Sequence, residues 1–87
     1  MKDVVFKGSS FADFTEWSVT NKGIFKKVSD LIRECRRTPF EGKGNPEPLK
    51  HELAGKWSRR IDAEHRLVYE VKEDAIEIIS CKYHYHE

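Results

Sequence analysis

Residues 38–48 hold Pro39, Pro46 and Pro48, with Gly42 and Gly44 between them. Proline fixes φ and carries no N–H, so no helix can run through this stretch. The fold must be built from what lies on either side. On the N-terminal side the apolar residues recur at helical spacing. Phe11, Phe14 and Trp17 make one stripe, and Ile24, Val28, Leu31, Ile32 and Cys35 make a second. Before them Asp3–Lys7, with Val4, Val5 and Phe6, reads as a strand that Gly8-Ser9-Ser10 breaks. Ser10 with Asp13 resembles a capping box, and Asn21-Lys22-Gly23 reads as a turn between helices. Arg36 and Arg37 fall in the last turn of the second helix, where cations suit its dipole, and Pro39 ends it. On the C-terminal side Trp57–Ile61, His65–Val71 and Ala75–Tyr83 read as strands. Asp62-Ala63-Glu64 and Lys72-Glu73-Asp74 are short enough to be hairpin turns.

The order strand, helix, helix, then three hairpin-linked strands predicts an α+β fold over residues 1–87 as a single domain. Two helices should pack on one face of a largely antiparallel four-stranded sheet. A chain this short buries about 60% of its unfolded surface and supports one modest core. No apolar run has the length of a membrane span and none resembles a signal peptide. Cys35 and Cys81 are too few for a disulfide framework and form no CxxC pair, so free thiols in a cytoplasmic protein are expected.

The net charge of +1 conceals an uneven distribution. Residues 36–60 hold seven Lys/Arg against three acids, a local charge of +4, and the remainder carries −3. Such an excess suits a polyanion or an acidic protein segment; a solvated charged surface would look the same. Inside the basic stretch, Pro46-Glu47-Pro48 holds one carboxylate on stiff, extended backbone. Gly42 and Gly44 would let the backbone approach a ligand closely. Lys43, Lys50, His51, Arg59 and Arg60 supply cationic or titratable groups around it. Arg66 opens a strand, where its fork of donors could grip a phosphate or form a surface ion pair with Glu64 or Glu70. His84 lies between Tyr83 and Tyr85; histidine moves protons near neutrality, and tyrosine rings stack on unpaired bases. His84, His86 and Glu87 could instead contribute to a transition-metal site, but no further ligand with suitable spacing accompanies them.

Four segments, taken together and in order, resemble the Txe/YoeB family of bacterial toxins within the RelE-like superfamily. They are Arg-Arg-Thr-Pro-Phe-Glu-Gly-Lys-Gly-Asn-Pro-Glu-Pro-Leu-Lys-His at 36–51, Trp-Ser-Arg-Arg-Ile at 57–61, Glu-His-Arg-Leu-Val-Tyr at 64–69 and Cys-Lys-Tyr-His-Tyr at 81–85. The likeness runs from about Val4 to Tyr85. It implies the toxin of a type II toxin–antitoxin pair: an endoribonuclease that cuts mRNA in the A site of the 70S ribosome and needs no metal or cofactor. By position, Glu47 matches the general base, His84 the general acid, Arg66 the phosphate-stabilising arginine and Tyr85 a tyrosine that shapes the site. Lys50 and Arg60 match basic residues lining it, and Lys43, His51 and Arg59 join them as candidates for contact with mRNA or rRNA. The resemblance also implies a YefM-like acidic antitoxin, operator DNA binding only through the antitoxin complex, and no membrane partner. It is compatible with a homodimer. Asn45 stands where a lysine fits the family pattern, Lys56 where an apolar or aromatic residue does, and the chain continues past Tyr85. Two readings compete: a toxin of the ParE type that acts on DNA gyrase, and an RNA-binding module without turnover. The acid–base set of Glu47, Arg66 and His84 favours the nuclease.

Overall fold

The computed structural model describes residues 1–83. Strand β1 spans Asp3–Phe6, helix α1 Ser10–Thr20 and helix α2 Lys22–Cys35. A two-residue strand β2, Glu47–Pro48, precedes a 3₁₀ turn at His51–Leu53. Strands β3 (Lys56–Arg60), β4 (Arg66–Val71) and β5 (Ala75–Ser80) complete the fold. Among the described residues the sheet has five strands in the order β1-β5-β4-β3-β2, one more than the sequence pattern predicts. The additional strand is β2, which no hydrophobic alternation marks because it contributes only Glu47 opposite Ser58 and Pro48 opposite Trp57. Pro48 is tolerated there because β2 is an edge strand, where a missing N–H breaks no ladder. Every pairing is antiparallel except β1 with β5.

Helix α2 buries Val28, Leu31, Ile32 and Cys35, as its stripe predicts, against Leu67, Tyr69, Ile76 and Ile78 of the sheet. From α1 the stripe delivers Trp17 to the core and Phe14 to its margin, but Phe11 stays exposed, edge-on to Phe6. Both helices begin differently from the sequence reading. Ser10 is no cap: it is buried, and its hydroxyl donates to the Ile78 carbonyl, tying α1 to β5. Asn21 is less a turn residue than the N-cap of α2, its Oδ1 accepting from Ile24 N–H. Arg36 follows the last helical residue, and its Nε donates to the Lys2 carbonyl. Among the described residues no helix is long and apolar enough to cross a membrane. Cys35 and Cys81 are buried free thiols, pushed up by that burial to pKa values of about 11 and about 12.

Strand periodicity then separates two environments. In β3 and β4, Trp57, Arg59, Leu67 and Tyr69 share the helix-facing side; Lys56, Ser58, Arg60, Arg66, Val68 and Glu70 share the other. Glu47, paired with Ser58, joins this second, helix-free face.

Candidate active site

The loop that carries Glu47 is shaped from beneath by a buried arginine. Arg59 is fully buried, and its guanidinium donates to Glu34 Oε2 at 2.6 Å, to the carbonyls of Thr38, Glu41 and Lys43, and to Tyr69 Oη. The Tyr69 hydroxyl in turn donates to the Pro39 carbonyl at 2.7 Å. Burial opposes the charge on Arg59, but the Tyr69 hydroxyl and the Glu34 carboxylate outweigh it and hold its pKa above the ordinary arginine value. Burial likewise favours neutral Glu34, yet the Lys43 N–H and Arg59 hold its carboxyl below the usual carboxylate range. One cation therefore replaces a hydrophobic core for residues 38–43.

Both glycines are required by this packing, and Gly44 also lines the cleft beside Glu47. A Cβ on Gly42 would stand 2.5 Å from Glu34 Oε2. One on Gly44 would meet Arg59 Cβ at 3.0 Å and the Arg60 carbonyl at 3.1 Å. Both glycines also have positive φ, 117° and 82°. Gly44 accepts from Arg60 N–H at 2.7 Å, which seats the end of the loop on β3. Asn45 follows in the left-handed region, φ 52°, a conformation asparagine tolerates better than most side chains. From there the chain enters β2.

On the open face Glu47 Oε1 lies 3.6 Å from Arg66 Nη1. Their side chains differ in access, Glu47 being 45% exposed and Arg66 only 16%. Arg60 is exposed and stands directly opposite Arg66 in the β3–β4 register. Glu47, Arg60 and Arg66 line one open cleft of about 480 Å³ with Asn45, Gly44, Ile61 and Lys27. Two buried donors on this face, Arg66 Nε and Ser58 Oγ, have no hydrogen-bond partner among the described residues. Three cations around one half-exposed carboxylate make a surface suited to a phosphodiester, with the carboxylate placed to take a proton.

The structure thus brings together Glu47, Arg60 and Arg66 of the sequence candidates. It adds Lys27 of α2, which lines the cleft with Gly44 and Asn45. Arg59 does not belong to this group, because it faces the helices and its donors are consumed by the fold. Lys50 and His51 are exposed at the 3₁₀ turn, outside the cleft lining, and His51 has φ 56°. Lys43 contributes its backbone to the Arg59 and Glu34 network, while its side chain lies in a neighbouring cleft with Arg33, Arg37 and Asp30. Lys56 lies 3.9 Å from Glu70 Oε1 across the β3–β4 pair. Arg66 pairs with Glu47, not with Glu64 or Glu70. His84 and Tyr85, and the His84, His86 and Glu87 metal alternative, lie outside the described residues. Among the described residues no group of three His, Cys, Asp or Glu could hold a metal ion.

Known proteins resemble this chain over nearly its full length. Toxin YoeB of Escherichia coli K12 is 55% identical over 82 residues, covering 94% of this chain and 98% of that protein. The YoeB/ParE toxin from Agrobacterium tumefaciens superposes with a TM-score of 0.91 at 49% identity, covering 98% of this chain and all of the other. A Staphylococcus aureus relative, solved as a YoeB–YefM complex, gives a TM-score of 0.88 at 43% identity, covering 98% of this chain and 99% of that one. A YoeB dimer from Staphylococcus aureus gives the same TM-score at 42% identity, with 97% of this chain and 98% of that one covered. Fold and likeness together define the class as a small α+β toxin of a bacterial toxin–antitoxin system. The family model for the YoeB-like toxin of bacterial type II toxin-antitoxin systems matches residues 6–85, and the chain belongs to that family.

Proposed function

We propose that this toxin is a ribosome-dependent mRNA endonuclease that cuts the codon in the ribosomal A site by metal-free acid–base chemistry. The observation that supports it most is the Glu47–Arg66 pair at 3.6 Å, set on an open sheet face beside Arg60. Glu47 takes the proton of a ribose 2′-hydroxyl, and the 2′-oxygen attacks the adjacent phosphorus. The bond to the 5′-oxygen breaks as His84 gives that oxygen a proton. The products are a 2′,3′-cyclic phosphate, which water opens to a 3′-phosphate, and a 5′-hydroxyl end. Arg66 neutralises charge growing on the non-bridging oxygens, a contribution often larger than any other single one. Its buried flank fixes its direction, and an incoming phosphate can compete for a guanidinium that the half-exposed Glu47 holds at only 3.6 Å. Tyr85 shapes the site. Arg60, Lys50, His51 and the Lys43 side chain contact mRNA or rRNA; Arg59 acts on them only by holding the loop. DNA lacks the 2′-hydroxyl and is not a substrate.

The same basic face suits an acidic antitoxin segment that folds as it binds, as the YoeB–YefM complex of the relative suggests. The toxin acts in the cytoplasm, reaches operator DNA only through the antitoxin complex, and can pair with a second copy as the Staphylococcus aureus YoeB dimer does. The test is a purified translation system with a defined mRNA, read by primer extension with and without ribosomes. Cuts confined to the A-site codon, dependent on ribosomes and lost in Glu47→Ala and His84→Ala, are expected. Cuts that persist in both variants, or no cutting by the folded protein, would overturn the proposal.

A further inference from the structure

His65 is buried on the rim of the core and takes no part in the chemistry just described. Its ring is fixed on several sides. The Trp17 ring meets it edge-on at 4.9 Å between centroids, Tyr83 packs at 5.5 Å, and its backbone N–H donates to Asp62 Oδ1 in the β3–β4 turn. Nε2 faces Glu64 Oε1 at 3.5 Å, and Nδ1 accepts the backbone N–H of Tyr83 at 2.7 Å. A carboxylate beside Nε2 favours the tautomer with its proton there, which leaves Nδ1 as the acceptor that the Tyr83 amide requires.

The same segment is fastened at three further points. Arg66 N–H donates to the Tyr83 carbonyl at 3.1 Å, and Trp17 Nε1 donates to the Cys81 carbonyl at 3.0 Å. Lys82 pairs with Glu16 at 2.8 Å. Tyr83 itself has φ 65°, a left-handed conformation unusual for a tyrosine that needs its surroundings to hold it. Its N–H and C=O are thus both engaged, by His65 and by Arg66. The peptide after Tyr83 is the one that joins it to His84.

We propose that His65 is a positioning residue whose Nδ1, by accepting the Tyr83 N–H, fixes the Tyr83 backbone, to which His84 is joined, for A-site cleavage. This rests on the reading of His84 as the general acid.

The test compares His65→Leu, which fills the space without an acceptor, with His65→Asn, whose Oδ1 occupies nearly the place of Nδ1. Two quantities are read: exchange protection of the Tyr83 amide, and kcat and KM for A-site cleavage on programmed ribosomes. His65→Leu should lose Tyr83 protection and at least tenfold in kcat with KM within twofold, and His65→Asn should recover both. A folded His65→Leu that cleaves at the wild-type kcat, or an Asn variant as impaired as Leu, would overturn the proposal. Should His65→Leu not fold, His65→Asn decides alone: retained protection with retained kcat supports the latch, and lost protection with retained kcat overturns it. His84→Ala is the control for the underlying reading. Full activity there would overturn the assignment of His84 as acid, while Tyr83 protection would still report the latch itself.

Discussion

Arg59 and Arg60 are neighbours in one strand, yet they face opposite ways and do opposite things. Arg59 turns to the helices, is fully buried, and spends its donors on Glu34, Tyr69 and three loop carbonyls. Arg60 turns to the open face and stands exposed beside Arg66 and Glu47. A strand sends alternate side chains to opposite faces, so one step along β3 converts a structural cation into a site cation. The contrast extends to the carboxylates. Glu34 is locked under the loop, whereas Glu47, on top of it, pairs at 3.6 Å with an arginine and is 45% exposed. On the helix face Arg59 is fully satisfied by the fold, and on the other face Arg60 stays exposed.

The sharpest way to break this comparison is to remove one member from each face. Glu47→Gln should lower A-site cleavage by about 10²- to 10⁴-fold, the usual worth of a positioned general base, with the melting temperature nearly unchanged. Arg59→Leu should do the reverse to the fold. It leaves Glu34 and the carbonyls of Thr38, Glu41 and Lys43 without their donor, at a cost of about 3–5 kcal/mol. For a domain of this size that is a fall of roughly 12 °C or more in melting temperature, read by circular dichroism. Loss of stability in Glu47→Gln, or a fully stable Arg59→Leu, would erase the distinction between the faces.

Much of this division was open to reading from the chain. The stripe on α2 and the strand runs at 57–61, 65–71 and 75–83 predict the layers, and Pro46 and Pro48 predict the extended backbone under Glu47. What could not be read is tertiary. β2 is too short to show a period, and its existence depends on Ser58 and Trp57 being opposite it. Arg59 carries the same local signal as Arg60; its burial depends on partners at 34, 38, 41, 43 and 69, which only the fold assembles. Gly42 and Gly44 announce close approach, but local sequence does not say to what, and the answer is Glu34 and Arg59. Lys27 and His65 are ordinary in their segments, and their neighbours come from the far side of the loop and from residue 83.

A smaller effect tests whether the cations of the open face act as a set. Arg60→Ala should weaken binding to a single-stranded RNA oligonucleotide by about tenfold at low salt. It should also reduce the salt slope of log K by about 0.7, the value for one phosphate contact on a single strand. Melting temperature should stay within a few degrees. The same substitution at Arg59 cannot give this pattern, because that side chain reaches no solvent. An Arg60→Ala variant with an unchanged salt slope would limit the phosphate contact to Arg66 and Lys27.

The smallest effect concerns the acid limb of stability, and its sign follows from Glu34. Its folded pKa lies below the ordinary value of 4.5, because the Lys43 N–H and Arg59 favour the carboxylate more than burial disfavours it. The unfolded chain therefore takes up this proton before the folded one does. The stabilisation is complete above the unfolded pKa and is lost as pH falls through the folded pKa. Glu34→Gln removes the titration but keeps the shape. Urea melts should find the variant less stable than the wild type at pH 7. The gap should close as pH falls below the ordinary carboxylate value and through the lower folded one, where the wild-type carboxyl also becomes neutral. A gap that stays constant over this range would mean that Glu34 contributes through packing and not through its charge on Arg59. The two faces would then differ in burial alone.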